Sequence, residues 1–156
     1  MIAADEMTLA TKREILAEFI RRKNAELDSL RQAQREQLDS ANQEDIDKQD
    51  PVESPKAQMM DEIELQATQL DRVQDDLQIL HRLDVATVHD RVTPGSLVRT
   101  NVGYFLVGVA VPPSDFGGKK ITGISTASPL YQKMQGLKAH AEFHLGSIEY
   151  VISAIT

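Results

Sequence analysis

The chain has 156 residues, 24 acids against 17 Lys and Arg, a formal charge of −7, and neither cysteine nor tryptophan. Without a thiol there can be no disulfide, no thiolate metal site and no cysteine nucleophile, and three Tyr with four Phe are too few for one large aromatic core. The charge is uneven: residues 1–92 hold 21 acids and 12 bases and residues 93–156 hold 3 and 5, so two units of different character are expected, neither with the basic stripe that bare nucleic acid requires.

The opening MIAADEMTLATKRE lacks a basic segment followed by an apolar run, so it does not resemble a secretory signal. No stretch approaches the ~18 apolar residues of a membrane span. The expectation is a soluble, cytoplasmic protein. From Thr11 to about Asn42 there is no Gly or Pro, and Thr11-x-x-Glu14 has the form of a capping box at a helix start. Steps of three and four pick out Leu16, Ile20, Lys23, Leu27, Leu30, Gln34, Leu38 and Ala41, an apolar seam diluted by polar residues as at the edge of a coiled coil.

The period breaks in QEDIDKQDPVESPKA, residues 43–57. Glu44, Asp45, Asp47, Asp50 and Glu53 crowd here beside a single Lys48, with Pro51 and Pro55 following. Ser54 and Pro55 suit the cap and first turn of a second helix, because the missing N–H of proline lies where a helix leaves it unpaired anyway. A second run, from Lys56 to Val92, places Met59, Ile63, Gln66, Leu70, Val73, Leu77 and Leu80 on one stripe. A dimerising coiled coil could show the same seams. Their matched lengths and the proline-bearing break favour an antiparallel hairpin within one chain, and hence a monomer. Residues 1–92 are therefore expected to form an N-terminal hairpin whose acidic tip lies near 44–54.

Pro94-Gly95 marks the boundary, and the pattern then changes to short strands at Ser96–Thr100, Val102–Val111, Lys119–Thr126, Ala141–Leu145 and Ile148–Ile155. Asn101 suits a turn, Pro112-Pro113 and Gly117-Gly118 a loop, and His144-Leu145-Gly146-Ser147 a hairpin turn. Ser128 to Lys138 reads as a short helix with Ser128 as N-cap, Pro129 in its first turn and Gly136 as its stop. Residues 93–156 should thus be four or five antiparallel strands wrapped on one short helix, and the whole chain α+β. His81, His89, His140 and His144 have no ligand spacing, Ser128 has neither a partner base nor a G-x-S-x-G elbow, and no phosphate-binding G-x-x-x-x-G-K is present. No independent active site is expected.

This combination resembles the bacterial Gre transcript-cleavage factors, a family of transcription elongation factors. GSLV at Gly95–Val98, ISTASPLYQKMQGLK at Ile124–Lys138 and EYVISAI at Glu149–Ile155 carry the resemblance, and DPVES is similar to the family's tip pattern. The resemblance implies an FKBP-like C-terminal domain that docks on RNA polymerase at its secondary channel. It also implies a hairpin that delivers Asp50 and Glu53 to the active centre as metal-holding, catalytic carboxylates. There they would help to hold a second Mg²⁺ for hydrolysis of backtracked RNA, with Glu44, Asp45 and Asp47 as weaker candidates. RNA would be met at its 3′ end and only inside the polymerase. Ser54 falls where the family has Asn, Ala57 where it has an aromatic residue, and Ala139-His140 where Gly-Asp is common. The alternative is a channel occupant that inhibits or retunes transcription without cleavage. A third reading is a coiled-coil protein unrelated to polymerase.

Overall fold

A computed structural model describes residues 8–47 and 54–156, with side chains for 8–40 and 57–156. Two long helices, α1 (Leu9–Asp47) and α2 (Ser54–Arg82), precede strands β1 (Leu97–Thr100), β2 (Tyr104–Gly108), β3 (Val111–Phe116) and β4 (Lys119–Ser125). A short helix α3 (Pro129–Met134) and strands β5 (Glu142–Leu145) and β6 (Ile148–Ile155) complete the α+β architecture. The chain divides into two compact units, a sheet unit of residues 8–20 with 79–156 and a hairpin unit of residues 21–78.

Helix α1 starts earlier than the box at Thr11 and Glu14 suggests. Thr8 is its cap: the Thr8 hydroxyl accepts from the Thr11 amide at 3.1 Å and the Thr8 carbonyl from the Lys12 amide at 3.1 Å. Threonine fills this position well because its oxygen satisfies an amide that the helix leaves unpaired. For α3 the expectation holds. Ser128 accepts from the Tyr131 amide at 3.1 Å, Pro129 opens the helix, and Gly136 follows the cap Gln135 at φ 75°.

The six strands run in the order β3-β4-β2-β1-β6-β5. Every neighbouring pair is antiparallel except β2 and β4, which are parallel from Tyr104↔Ile121 to Gly108↔Ser125. The count exceeds the expected four or five, and the sheet is not wholly antiparallel. The extra strand is β3, which contains the Pro112-Pro113 taken for a loop. Proline cannot donate to a ladder, so a strand tolerates it at an edge or a bulge. β3 is an edge strand whose register shifts between Val111 and Ser114, which accommodates both prolines. Gly117 and Gly118, at φ 56° and 84°, close the two-residue turn into β4, where positive φ is needed at both positions.

Side chains alternate between the two faces of the sheet, as a period of two demands. Val98, Phe105, Val107 and Ile124 join a cluster with Tyr131 and Met134 of α3, Phe143 of β5 and Tyr150 and Ile152 of β6. Leu97, Leu106 and Ile121 face the other way. They pack with Ile15 and Phe19 of α1 and Leu80 of α2. Both sides of the sheet are thereby covered, one by α3 and the other by the ends of the long helices.

Beside that second cluster lies Lys12, with none of its surface exposed. Its ammonium donates to the main-chain oxygens of Thr87 at 2.9 Å, Gly95 at 3.2 Å and Thr156 at 3.0 Å. All three of its protons are thus used, which is the condition for burying a charge tolerably. Burial holds the ammonium below the ordinary lysine range, and the Asp84 carboxylate opposes part of that shift. The loop that supplies two of these oxygens is itself tightly folded. Asp84 caps it by accepting from the Ala86 amide at 3.1 Å, and its carbonyl lies where Gly95 (φ 91°) allows close approach. A Cβ at Gly95 would sit 2.4 Å from that oxygen.

Lys12→Ala would remove the donor shared by three main-chain oxygens, two of them in buried contacts, and leave a cavity; it is expected to lower unfolding free energy by about 3 kcal/mol in urea titration. Gly95→Ala meets both a clash and a strained φ, and should cost about 2 kcal/mol or more in the same measurement. The pH dependence has a definite sign. The unfolded chain keeps the Lys12 proton to higher pH than the folded chain does. The contribution of this group therefore rises as pH climbs from its lowered folded value toward 10.5. The stability difference between the wild type and Lys12→Met should grow over that window; a falling difference would contradict the assignment.

Candidate functional site

The hairpin unit is built from the two heptad seams. On α2, Met59, Ile63, Gln66 and Leu70 are half-buried and Val73 and Leu77 are buried, the spacing of three and four that keeps a seam facing its partner helix. On α1, Leu27 is buried and Leu30, Gln34 and Gln37 are half-buried, whereas Leu38 is 43% exposed. The heptad count from Leu27 and Leu30 lands on Gln37, so the apolar Leu38 is not the seam residue that its hydrophobicity suggests. Two cross-helix contacts set the register. Lys23 Nζ lies 3.2 Å from Asp76 Oδ2, and Gln37 Nε2 donates to Glu62 Oε2 at 2.7 Å. Both pairs are centred on one point of the chain, between residues 49 and 50, as an antiparallel hairpin requires. At about 1.5 Å rise per residue, each arm is roughly 40 Å long.

The seam weakens toward the connection. Leu27, Val73 and Leu77 are buried in one half, while the other half relies on Gln34, Gln37 and Gln66 among half-buried apolar residues. Gln37 Oε1 and Gln66 Oε1 are buried with no hydrogen-bond partner. A buried acceptor without a donor costs about 1–3 kcal/mol, so this half is held with little margin.

The sequence places its carboxylates at the connected ends of these helices. The last turn of α1 carries Glu44, Asp45 and Asp47 and no basic residue, and the first turn of α2 carries no acid. Helix electrostatics would favour the reverse, since the C-terminal end of a helix is negative and the N-terminal end positive. Asp50 and Glu53, the two residues singled out as metal-holding, lie in 48–53, outside the described residues.

Among the described residues, no three His, Asp or Glu side chains are grouped to hold a metal ion. His81, His140 and His144 are exposed and the His89 ring lies 3.1 Å from the Asp84 carbonyl oxygen. The aromatic residues of the sheet unit serve packing. Phe143 and Tyr150 stack at 4.9 Å and 3°, and Phe105 and Tyr131 are buried in the same cluster. Lys12 is the polar residue that the sequence pattern missed. Its signal was spacing, because Lys12, Ile15 and Phe19 share one helical stripe and all three are buried.

Neither a family model nor a curated protein matches this chain. Among solved structures, the GreA factor homolog 1 (Gfh1) of Thermus thermophilus is similar over 88% of this chain and 94% of its own, at 15% identity and a TM-score of 0.33. Gfh1 of Thermus aquaticus is similar over 86% and 92%, at 16% identity and a TM-score of 0.31.

If the buried amide oxygens limit the hairpin, Gln66→Leu should raise its stability by about 1 kcal/mol, and Gln37→Leu by less because it also loses the bond to Glu62. Thermal unfolding followed by helical circular dichroism checks both. A drop for Gln66→Leu would show that its oxygen is satisfied after all.

Proposed function

We propose that this chain is a Gre-like regulator of RNA polymerase that acts through the polymerase secondary channel. The observation that carries the reading is the concentration of carboxylates at the joined ends of a paired hairpin roughly 40 Å long, against the electrostatics of its own helices. A thin, acidic arm is suited to entering a narrow channel and meeting a metal there. The sequence motifs at Gly95–Val98, Ile124–Lys138 and Glu149–Ile155, on the strands and short helix of the sheet unit, support the same family.

In this reading the protein stimulates the polymerase's own hydrolysis of backtracked RNA. Asp50 and Glu53 offer hard carboxylate oxygens, the donor type that Mg²⁺ prefers. Two carboxylates are too few for a complete Mg²⁺ site, so the polymerase supplies the remaining ligands. When bound, the metal would supply Lewis-acid charge and a polarised water. The chain's part is to present the two carboxylates and to keep the arm straight. It has no active site of its own, and its overall negative charge disfavours binding RNA outside the complex.

A second reading keeps the docking and replaces cleavage with inhibition or retuning of transcription. It is favoured by Pro51 and Pro55 on either side of Glu53, and by Ser54 and Ala57 where the resembled family has Asn and an aromatic residue. The two readings separate in one assay with a halted, backtracked polymerase. Cleavage stimulation should fall by about 100-fold or more in the double variant Asp50→Ala, Glu53→Ala, while binding persists. Undiminished cleavage would refute the carboxylate role. Wild-type protein that slows initiation without cleaving, an effect that survives both substitutions, would establish the second reading instead.

A further inference from the structure

Arg91 and Lys138 stand opposite each other in an isolated antiparallel bridge. Flanking hydrogen bonds hold the two segments together: the Val92 amide donates to the Leu137 carbonyl at 2.9 Å and the Gly136 amide to the Val92 carbonyl at 2.8 Å. Directly opposed residues of such a pair project from the same face, and two like charges there repel. Both side chains are exposed, and among the described residues neither is ion-paired, even with the neighbouring Asp90. Lys133, also exposed, occupies the last turn of α3, the helix that leads into the bridge.

The chain has a net charge of −7, yet among the described residues no carboxylate pairs with either cation. The fold gains nothing from two cations at this position. Their backbone is fixed by the bridge, so their charges are presented together on a rigid base. We infer that Arg91 and Lys138, assisted by Lys133, form a docking site for a carboxylate-bearing protein surface. The inference rests on the polymerase reading, and it assigns that acidic surface to the polymerase. Nucleic acid is the weaker match for this face. Three cations neutralise few phosphates, too few for appreciable nucleic-acid affinity at physiological salt.

Lys138→Glu tests the site because its two effects have opposite signs. It converts a repulsive cross-strand pair into an attractive one, so Tm should rise by about 1–3 °C. At the same time, affinity for RNA polymerase should fall by about tenfold or more, and its salt dependence should flatten. Lys133→Glu should weaken binding in the same direction without the gain in Tm. If the wild type fails to bind polymerase, the reading under Proposed function fails. If the wild type binds and both variants bind equally well, this inference alone is overturned. A lower Tm for Lys138→Glu would remove its premise. Binding of a short single-stranded RNA by the wild type that Lys138→Glu abolishes would assign the face to nucleic acid and overturn the protein partner.

Discussion

The sheet unit depends on a buried ammonium. Lys12 sits in the first turns of α1, and its three protons go to main-chain oxygens of the loop after α2, the entry to β1 and the residue after β6. These segments are far apart in the chain; backbone bonds join Leu97 to Thr156 and Gly95 to Val107, and Lys12 adds a side chain that ties all three to α1. A charge with three directed hydrogen bonds specifies where each backbone must lie. Ile15 and Phe19, one and two turns further along the same stripe, then fill the space against Leu97, Leu106 and Ile121. The charge is expensive to bury, and complete satisfaction of its protons is what makes the arrangement tolerable.

The hairpin unit solves a different problem by different means. It has no enclosed core, only a seam, and polar residues interrupt that seam at Lys23, Gln34, Gln37 and Gln66. Lys23, its side chain only 11% exposed, has its charge paired with Asp76 and Glu26, whereas the glutamines leave two acceptors unmatched. Polar seam residues cost stability but fix register, because a slipped pairing would bury them against apolar partners.

Charge is distributed on a common plan. Carboxylates are concentrated in residues 1–92, and among the described residues Arg91, Lys133 and Lys138 of the sheet unit carry no ion pair. The opposed pair Arg91 and Lys138 does not stabilise the bridge that carries it, whereas Lys133 suits the C-terminal end of α3.

Much of this was legible from the sequence. The seam of α2 could be counted directly, since its heptad runs unbroken, and Ser128, Pro129, Gly117-Gly118 and Gly136 announced α3 and its neighbouring turns through backbone chemistry that operates over a few residues. The acidic stretch around Asp50 and Glu53 was equally plain, although its geometry lies outside the described residues. The tertiary structure decided the rest. It moved the α1 seam from Leu38 to Gln37, made Pro112-Pro113 part of an edge strand, paired β2 with β4 in parallel and buried Lys12. The reason is range. Periodicity and turn chemistry express contacts between near neighbours, whereas Lys12 meets partners 75, 83 and 144 residues away, and no local pattern records which distant carbonyls a lysine will find.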